Sequence, residues 1–332
     1  MSKLLTIVVP VYNTEKYLEK CLDSLIIEEY LDRLEVLVVI DGSPDNSIGI
    51  VRKFEKKYPN TFITVEKENG GHGSAINRGL ELATGTYFRV LDSDDWFDKN
   101  NFRPYLDKLS LATEDIVLSH IIREYISINK SVLWCSEQIE YDKCYTDMSI
   151  LNNLPPEFFA MARCSYRTSL LRNNKLHLNE KRSFEEAFLH VFPLIFLKSF
   201  VFYNLPIYHY FLERSDQSVK QKVTLKQSND WKALVMQIID FYTQHNAELS
   251  NIKREFLLRV LSMYVDNEYR TMYALSYNEA RNELKGYHAY LKSLPFYKRI
   301  QGKHGLFYAT MPYWMSRCIR ELYDKLILIL KR

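Results

Sequence analysis

The chain has 332 residues, more than one hydrophobic core usually organises, so a main domain with an accessory one is expected. Its 26% charged and 47% hydrophobic residues exclude a disordered chain, and a net charge of +3 without a basic run interleaved with aromatics argues against a nucleic-acid partner. Five cysteines, odd in number and without a C-x-x-C pair, support neither a disulfide framework nor a zinc site and fit a reducing cytoplasm.

In chain order, Leu4 to Val9 is a β-branched run closed by Pro10, which predicts a central parallel strand and, lacking a small-residue cleavage site, not a signal peptide. No apolar run approaches the ~20 residues of a membrane-spanning helix. Asn13 is placed to cap a helix running to about Glu29, since Tyr17, Leu18, Cys21, Leu22, Leu25 and Ile26 recur at helical spacing. Leu34 to Ile40 predicts a second strand, and Asp41-Gly42-Ser43-Pro44-Asp45-Asn46-Ser47 a tight turn that starts another helix. A third strand, Phe62 to Val65, leads into Asn69-Gly70-Gly71-His72-Gly73-Ser74 and a helix from Ala75 to Ala83. Tyr87 to Leu91 is a buried strand feeding Asp92-Ser93-Asp94-Asp95-Trp96. Repeated βα units of this size imply a right-handed, mostly parallel sheet with helices on both faces.

Asp41 and the cluster Asp92, Asp94 and Asp95 fall at the carboxyl ends of strands, where open α/β sheets bind ligands. Carboxylates packed so closely repel unless a cation joins them, and Asp-x-Asp at a strand end suits Mg²⁺ or Mn²⁺ shared with substrate phosphates. The simpler alternative is an acidic turn capping the next helix. The glycine loop matches neither an ATPase P-loop nor a dinucleotide fingerprint; a glycine-rich turn opening a helix can expose amides to an anion, or serve turn geometry alone.

Four ordered motifs carry a resemblance. Ile7-Val8-Val9-Pro10-Val11-Tyr12-Asn13, Val38-Val39-Ile40-Asp41-Gly42-Ser43-Pro44-Asp45, Gly71 to Leu80 and Asp92-Ser93-Asp94-Asp95 resemble the N-terminal half of family 2 glycosyltransferases, closely over about residues 4 to 110. Where that family often has two aspartates before Gly-Ser, this chain has Ile40-Asp41. The resemblance implies an α/β fold of the GT-A type, the Rossmann-like nucleotide-diphospho-sugar transferase fold, with a C-terminal helical region. It implies a donor nucleotide meeting Pro10, Tyr12, Asn13, Asp41, Gly71, Asn77, Asp92 and Ser93, with Asp41 at the nucleobase and Asp92 near the ribose. Asp94 would hold Mn²⁺ or Mg²⁺ on the diphosphate.

Beyond Leu109, Asp115 to His120 predicts a strand, Ile121 to Tyr145 an antiparallel excursion, and Phe158 to Tyr166 a buried strand followed by a short helix. Ser183-Phe184-Glu185-Glu186-Ala187-Phe188 begins a helix ending near Phe200 and resembles the Glu-Asp pair of the same family, whose second acid is the catalytic base. Glu186 stands where Asp is usual; the simpler alternative is an acidic helix N-terminus. Phe202 to Phe211 ends in Glu213-Arg214-Ser215-Asp216-Gln217-Ser218, similar to a Tyr-x-Tyr, Arg and Gln-Ser segment in which Arg214 would contact phosphate.

The domain boundary is expected near residue 223, with a catalytic domain over 1–223 and helices over 224–332. Apolar stripes such as Trp231, Leu234, Val235, Ile238, Ile239 and Tyr242 predict those helices. From Arg281 onward eleven basic residues stand against three acids, a pattern that suits an anionic membrane surface or a partner chain. The sequence thus points to a cytoplasmic, metal-dependent, inverting glycosyltransferase using a UDP-sugar donor, peripheral at the inner face of the membrane or forming a homo-oligomer. Its acceptor would be a glycan, lipid-linked or glycoprotein species of bacterial surface polysaccharide synthesis. A processive synthase is disfavoured, because membrane spans and a Gln-x-x-Arg-Trp motif are absent. The alternative is a non-catalytic nucleotide-sugar-binding or assembly subunit.

Overall fold

The computed structural model describes residues 2–134, 139–212 and 224–310, with Met315 and Leu322. Two compact units divide the chain at Gln221 and Lys222.

In the first unit, β1 (Leu5–Val11) and β2 (Leu34–Asp41) are buried at every residue. Their near-continuous Val, Leu and Ile content is what a strand covered on both faces requires. They alternate with α1 (Glu15–Asp23), α2 (Ser47–Lys57), β3 (Phe62–Lys67), α3 (His72–Leu82) and β4 (Tyr87–Val90). β5 (Trp96–Phe97), α4 (Lys99–Leu109), β6 (Ile116–Tyr125), β7 (Lys130–Trp134) and β8 (Cys144–Tyr145) follow. β9 (Cys164–Arg167), α5 (Thr168–Asn173), α6 (Glu186–Phe196) and β10 (Phe200–Leu212) complete the unit. One sheet runs in the order β3-β2-β1-β4-β9-β6-β10-β5, with β7 on β6 and β8 on β10. β1 pairs in parallel with β2 and β4, β2 with β3, and β6 with β10. β9 runs antiparallel between β4 and β6. The expected mostly parallel α/β sheet is therefore present, and the excursion after His120 is antiparallel.

Four local expectations need correction. β1 continues through Pro10 to Val11 because β4 has already parted from β1 at Val8, so the missing proline N–H falls where pairing is one-sided. Asn13 does not cap α1; it adopts φ +57° and the cap is Thr14, whose hydroxyl bonds Ser93 at 2.9 Å. α1 stops at Asp23, where the Ser24 hydroxyl turns back to the Cys21 carbonyl, and a 3-10 turn at Glu28–Arg33 replaces the expected continuation. Of the strand expected over Phe158 to Tyr166, only Cys164 to Tyr166 is strand, as part of β9; residues 158–163 are a turn and a short 3-10 segment, because Phe158 and Phe159 are buried by ring packing on Phe200 rather than by a ladder.

Two buried polar clusters fix the sheet. Glu35 of β2 accepts hydrogen bonds from the Thr6 hydroxyl and from both the N–H and hydroxyl of Thr84. Arg89, wholly buried on β4, donates to the Ala162 carbonyl (2.6 Å), Ser119 Oγ (3.0 Å), Tyr105 (3.3 Å) and Ser165 Oγ (3.4 Å). These bonds offset the cost of burying a guanidinium and anchor the strand that delivers Asp92 to β6, β9 and α4.

The second unit is helical: α7 (Leu225–His245), α8 (Asn251–Tyr273), α9 (Tyr277–Ser293), α10 (Tyr297–Ile300) and α11 (Gly302–Thr310). α7 opens with a capping box of Thr224 and Gln227. Asp266 and Glu268, two residues apart on α8, diverge: Asp266 accepts from the backbone N–H and ring of His304, while Glu268 is buried beside Ser228. No helix among the described residues is long and apolar enough to cross a membrane. Of the eleven basic residues from Arg281 onward, Arg317, Arg320, Lys325, Lys331 and Arg332 lie outside the described residues.

α3 lies close on β1 because residue 79 has no side chain: a Cβ there would sit 2.3 Å from a Val8 methyl. Gly79→Ala is expected to destabilise the first unit by about 1–3 kcal/mol through overpacking, read as a lowered denaturant midpoint with an unchanged m-value.

Candidate functional site

Because β1, β2 and β4 are parallel, their carboxyl ends meet at one edge, and the loops after them are tied together by side chains. The Asn13 N–H donates to Ser43 Oγ (2.8 Å), the Glu15 N–H to Asp45 Oδ2 (2.8 Å), and the Asn46 N–H to Glu15 Oε2 (3.0 Å). Tyr12, 54% exposed beside buried Pro10, stands at the mouth of this edge.

Asp41, at the end of β2, is buried, and its carboxylate accepts from Lys67 Nζ (2.7 Å) and from the N–H groups of Gly70 (2.9 Å) and Gly71 (2.7 Å). Its backbone carbonyl accepts from Asn69 (2.9 Å). The side chain therefore shapes the glycine loop that opens α3. Asn77, on α3, has both ends of its amide on Leu178: Nδ2 donates to the carbonyl (2.8 Å) and Oδ1 accepts from the N–H (2.9 Å).

Asp92 to Asp95, which follow β4 and Leu91, differ in burial. Ser93 and Asp95 point inward and are buried. Asp95 accepts from the Tyr208 hydroxyl (2.7 Å) and the Phe211 N–H (2.8 Å) of β10; burial, then the charges of Asp94 and Asp92, still push its carboxyl well up. Asp92 and Asp94 are partly exposed. Asp92 Oδ1 lies 3.0 Å from His72 Nε2, at the start of α3.

The pair at the start of α6 also splits. Glu185 is buried, accepts from the Asn179 N–H (3.1 Å), and is pushed up to about 7, mainly by burial. Glu186 is partly exposed; burial raises its carboxyl, the positive charge of His72 lowers it, and Asp92 raises it. For His72, burial acts against protonation, yet the bond to Asp92 and the charges of Asp92, Glu186 and Asp94 outweigh it and raise the ring to about 9. Tyr210 of β10 is pushed up to about 12 by burial and by Asp95, Asp92, Asp94 and Glu186. Acids from β4 and α6, distant in sequence, thus share one electrostatic site with His72 and Tyr210.

Neither His72 nor Tyr208 and Tyr210 stood among the sequence candidates as binding groups. The signal for Tyr208 and Tyr210 was the Tyr-x-Tyr segment; for His72 there was only its place between two glycines. Arg214 lies outside the described residues. Among the described residues no three His, Cys, Asp or Glu side chains converge as a metal shell. A cation on Asp94 would have to complete its coordination from substrate and water, which suits Mg²⁺ and Mn²⁺. A cleft of about 640 Å³ opens between α3 and the segment before α6, lined among others by Asn69, Gly70, Ser74, Asn77, Leu176 and Lys181.

Residues 6–170 match the model of glycosyl transferase family 2. The chain belongs to that family of transferase enzymes. Family relatives include glycosyltransferase GlyA of Streptococcus pneumoniae, 36% identical over 45% of this chain and 21% of that protein. The putative glycosyltransferase EpsH of Bacillus subtilis is 27% identical over 80% of this chain and 77% of that protein. The chain therefore spans about a fifth of the first relative and about three quarters of the second. Among solved structures, residues 1–349 of Staphylococcus aureus TarS, in complex with UDP-GlcNAc, superpose with a TM-score of 0.71, 17% identity, 97% of this chain and 92% of that one. The GT-A fold with a helical C-terminal region expected from the motifs is thereby established.

The raised His72 fixes a pH signature. Its folded value of about 9 exceeds the ordinary 6.5, so its contribution to stability is fully present below pH 6.5 and is lost as pH rises through about 9. Thermal melts of the wild type and His72→Gln should therefore differ most below pH 6.5 and converge above pH 9.

Proposed function

We propose that this chain transfers a sugar from a nucleotide-diphosphate donor, a UDP-sugar, to a hydroxyl of a glycan acceptor with inversion at the anomeric carbon. The observation that carries this reading is the meeting of Glu186 with Asp92 and His72 at the carboxyl edge of the parallel strands. Family membership supports the reaction class, and the superposition on a UDP-GlcNAc complex supports the donor.

In this reading the nucleobase side of the donor lies along Pro10, Tyr12, Asn13, Asp41 and Gly71, and the ribose meets Asp92 and Ser93. The charge balance supports a cation at Asp94: several carboxylates surround one protonated histidine, and a diphosphate adds further negative charge. When bound, Mn²⁺ or Mg²⁺ would neutralise the departing diphosphate. Glu186 takes the proton from the acceptor hydroxyl as its oxygen bonds to the anomeric carbon and the bond to the diphosphate breaks. Its place in the first turn of α6 favours the ionised form that a base needs, against the upward push of burial. The acceptor belongs to bacterial surface glycan synthesis, and the C-terminal unit serves acceptor binding, oligomerisation or membrane contact.

Slow hydrolysis of one donor in a panel of nucleotide sugars with Mn²⁺ tests the reaction; a non-catalytic nucleotide-sugar-binding subunit would hydrolyse none. Glu186→Gln is expected to lower turnover by ~10²–10⁴-fold with donor affinity unchanged, and Glu185→Gln to cost much less. Asp94→Asn should abolish the Mn²⁺ dependence of nucleoside diphosphate binding in calorimetry; an unchanged affinity removes the metal assignment.

A further inference from the structure

We infer that Asn77 is a positioning residue that holds the start of α6, and with it Glu186, rather than a contact for the donor. The inference rests on Glu186 being the base. Between Asn173, the end of α5, and Glu186 the chain has no helix or strand, so nothing in its own secondary structure fixes where α6 begins. Its backbone is fixed from α3 instead. Asn77 bonds both the N–H and the carbonyl of Leu178, so one amide satisfies a whole residue as a neighbouring strand would. The Lys181 N–H donates to the Gly70 carbonyl at 2.5 Å. Gly73 admits the segment to van der Waals contact: a Cβ there would lie 2.5 Å from the Asn179 carbonyl and 3.2 Å from Glu185 Cβ.

Two further features show that the segment is held by its surroundings. Lys181 and Phe184 adopt φ of +59° and +70°, a region that costs an L-residue energy and persists only where contacts impose it. Phe184 directly precedes the acidic pair, and Glu185 is buried with Oε2 on the Asn179 N–H of the same segment. With both ends of its amide on Leu178, Asn77 has little left to offer a nucleotide.

The test compares Asn77→Ala with Asn77→Asp, which keeps an acceptor for the Leu178 N–H, in the full chain. Asn77→Ala should lower kcat for hydrolysis of the donor found in the panel by ~10²-fold, the cost of a base misplaced by about an ångström. Affinity for UDP with Mn²⁺ should stay within about twofold, and Asn77→Asp should fall between. Amide hydrogen exchange over 178–186 should rise in Asn77→Ala while β1 and β2 stay protected, a readout independent of turnover. Added to Glu186→Gln, Asn77→Ala should cost little more, because both act through one group. Loss of UDP affinity with kcat unchanged, the same loss of kcat in both backgrounds, or unchanged exchange over 178–186 would overturn the inference. If Glu186→Gln alone costs nothing while Asn77→Ala still lowers kcat and opens 178–186, the base assignment falls and the clamp stands.

Discussion

Repulsion between carboxylates is the constraint around which this site is built. A parallel sheet gathers the ends of its strands at one edge, and here that edge receives Asp92, Asp94 and Asp95 from β4 and faces Glu186 from α6. Two unit charges 4 Å apart repel by about 4 kcal/mol at an effective dielectric of 20, a large fraction of a domain's stability. The fold relieves this unevenly. Asp95 is turned into the core onto Tyr208 and the Phe211 N–H and shifted toward its neutral form. Asp92 is set against His72, which is held protonated in consequence. What remains is a concentrated negative field with one fixed positive group, suited to a cation and a leaving diphosphate more than to either alone.

The carboxylates fall into two sets by how fully their oxygens are used. Glu35 and Asp41 each accept three hydrogen bonds and are buried; they hold strand ends and the glycine loop in place. Asp92, Asp94 and Glu186 keep exposed surface. Arg89 belongs with the first set, because without its four bonds into β6, β9, α4 and the Ala162 carbonyl the strand bearing Asp92 would have no fixed depth in the sheet. Burial alternates along the motif at this edge: Ser93 and Asp95 are enclosed, while Asp92 and Asp94 keep exposed surface.

Much of this was legible in the sequence, for reasons that differ by element. The strands β1, β2 and β4 are legible because full burial favours apolar runs, broken only where a bonded polar side chain such as Thr6, Glu35 or Arg89 is enclosed, and the acids after them stand out against those runs. Helix ends were less legible. Thr14, not Asn13, is the residue before α1, and its hydroxyl bonds Ser93, a residue far away in the chain, instead of capping the helix. The strand expected from Phe158 begins only at Cys164, because the aromatic packing of Phe158 and Phe159 leaves the same apolar signature as a ladder. His72 does not stand out in the sequence: its raised basicity comes from Asp92, Asp94 and Glu186, which only the fold brings to it.

The departures from the family pattern also find physical places. Ile40, where an aspartate is usual, is buried among the apolar residues of the core, while Asp41 alone supplies the acceptor for the glycine loop. Glu186 in place of aspartate carries one more methylene on a helix that cannot slide to compensate, since Ala187 to Ile195 are all buried. Reach at this position is therefore set by where the backbone before α6 is held, by the left-handed turn at Phe184 and the bonds from α3. A longer carboxylate side chain and a tightly stitched approach to it are compatible: the added length enlarges the volume the carboxylate can explore, and a fixed helix start narrows it again to the side facing His72 and Asp92.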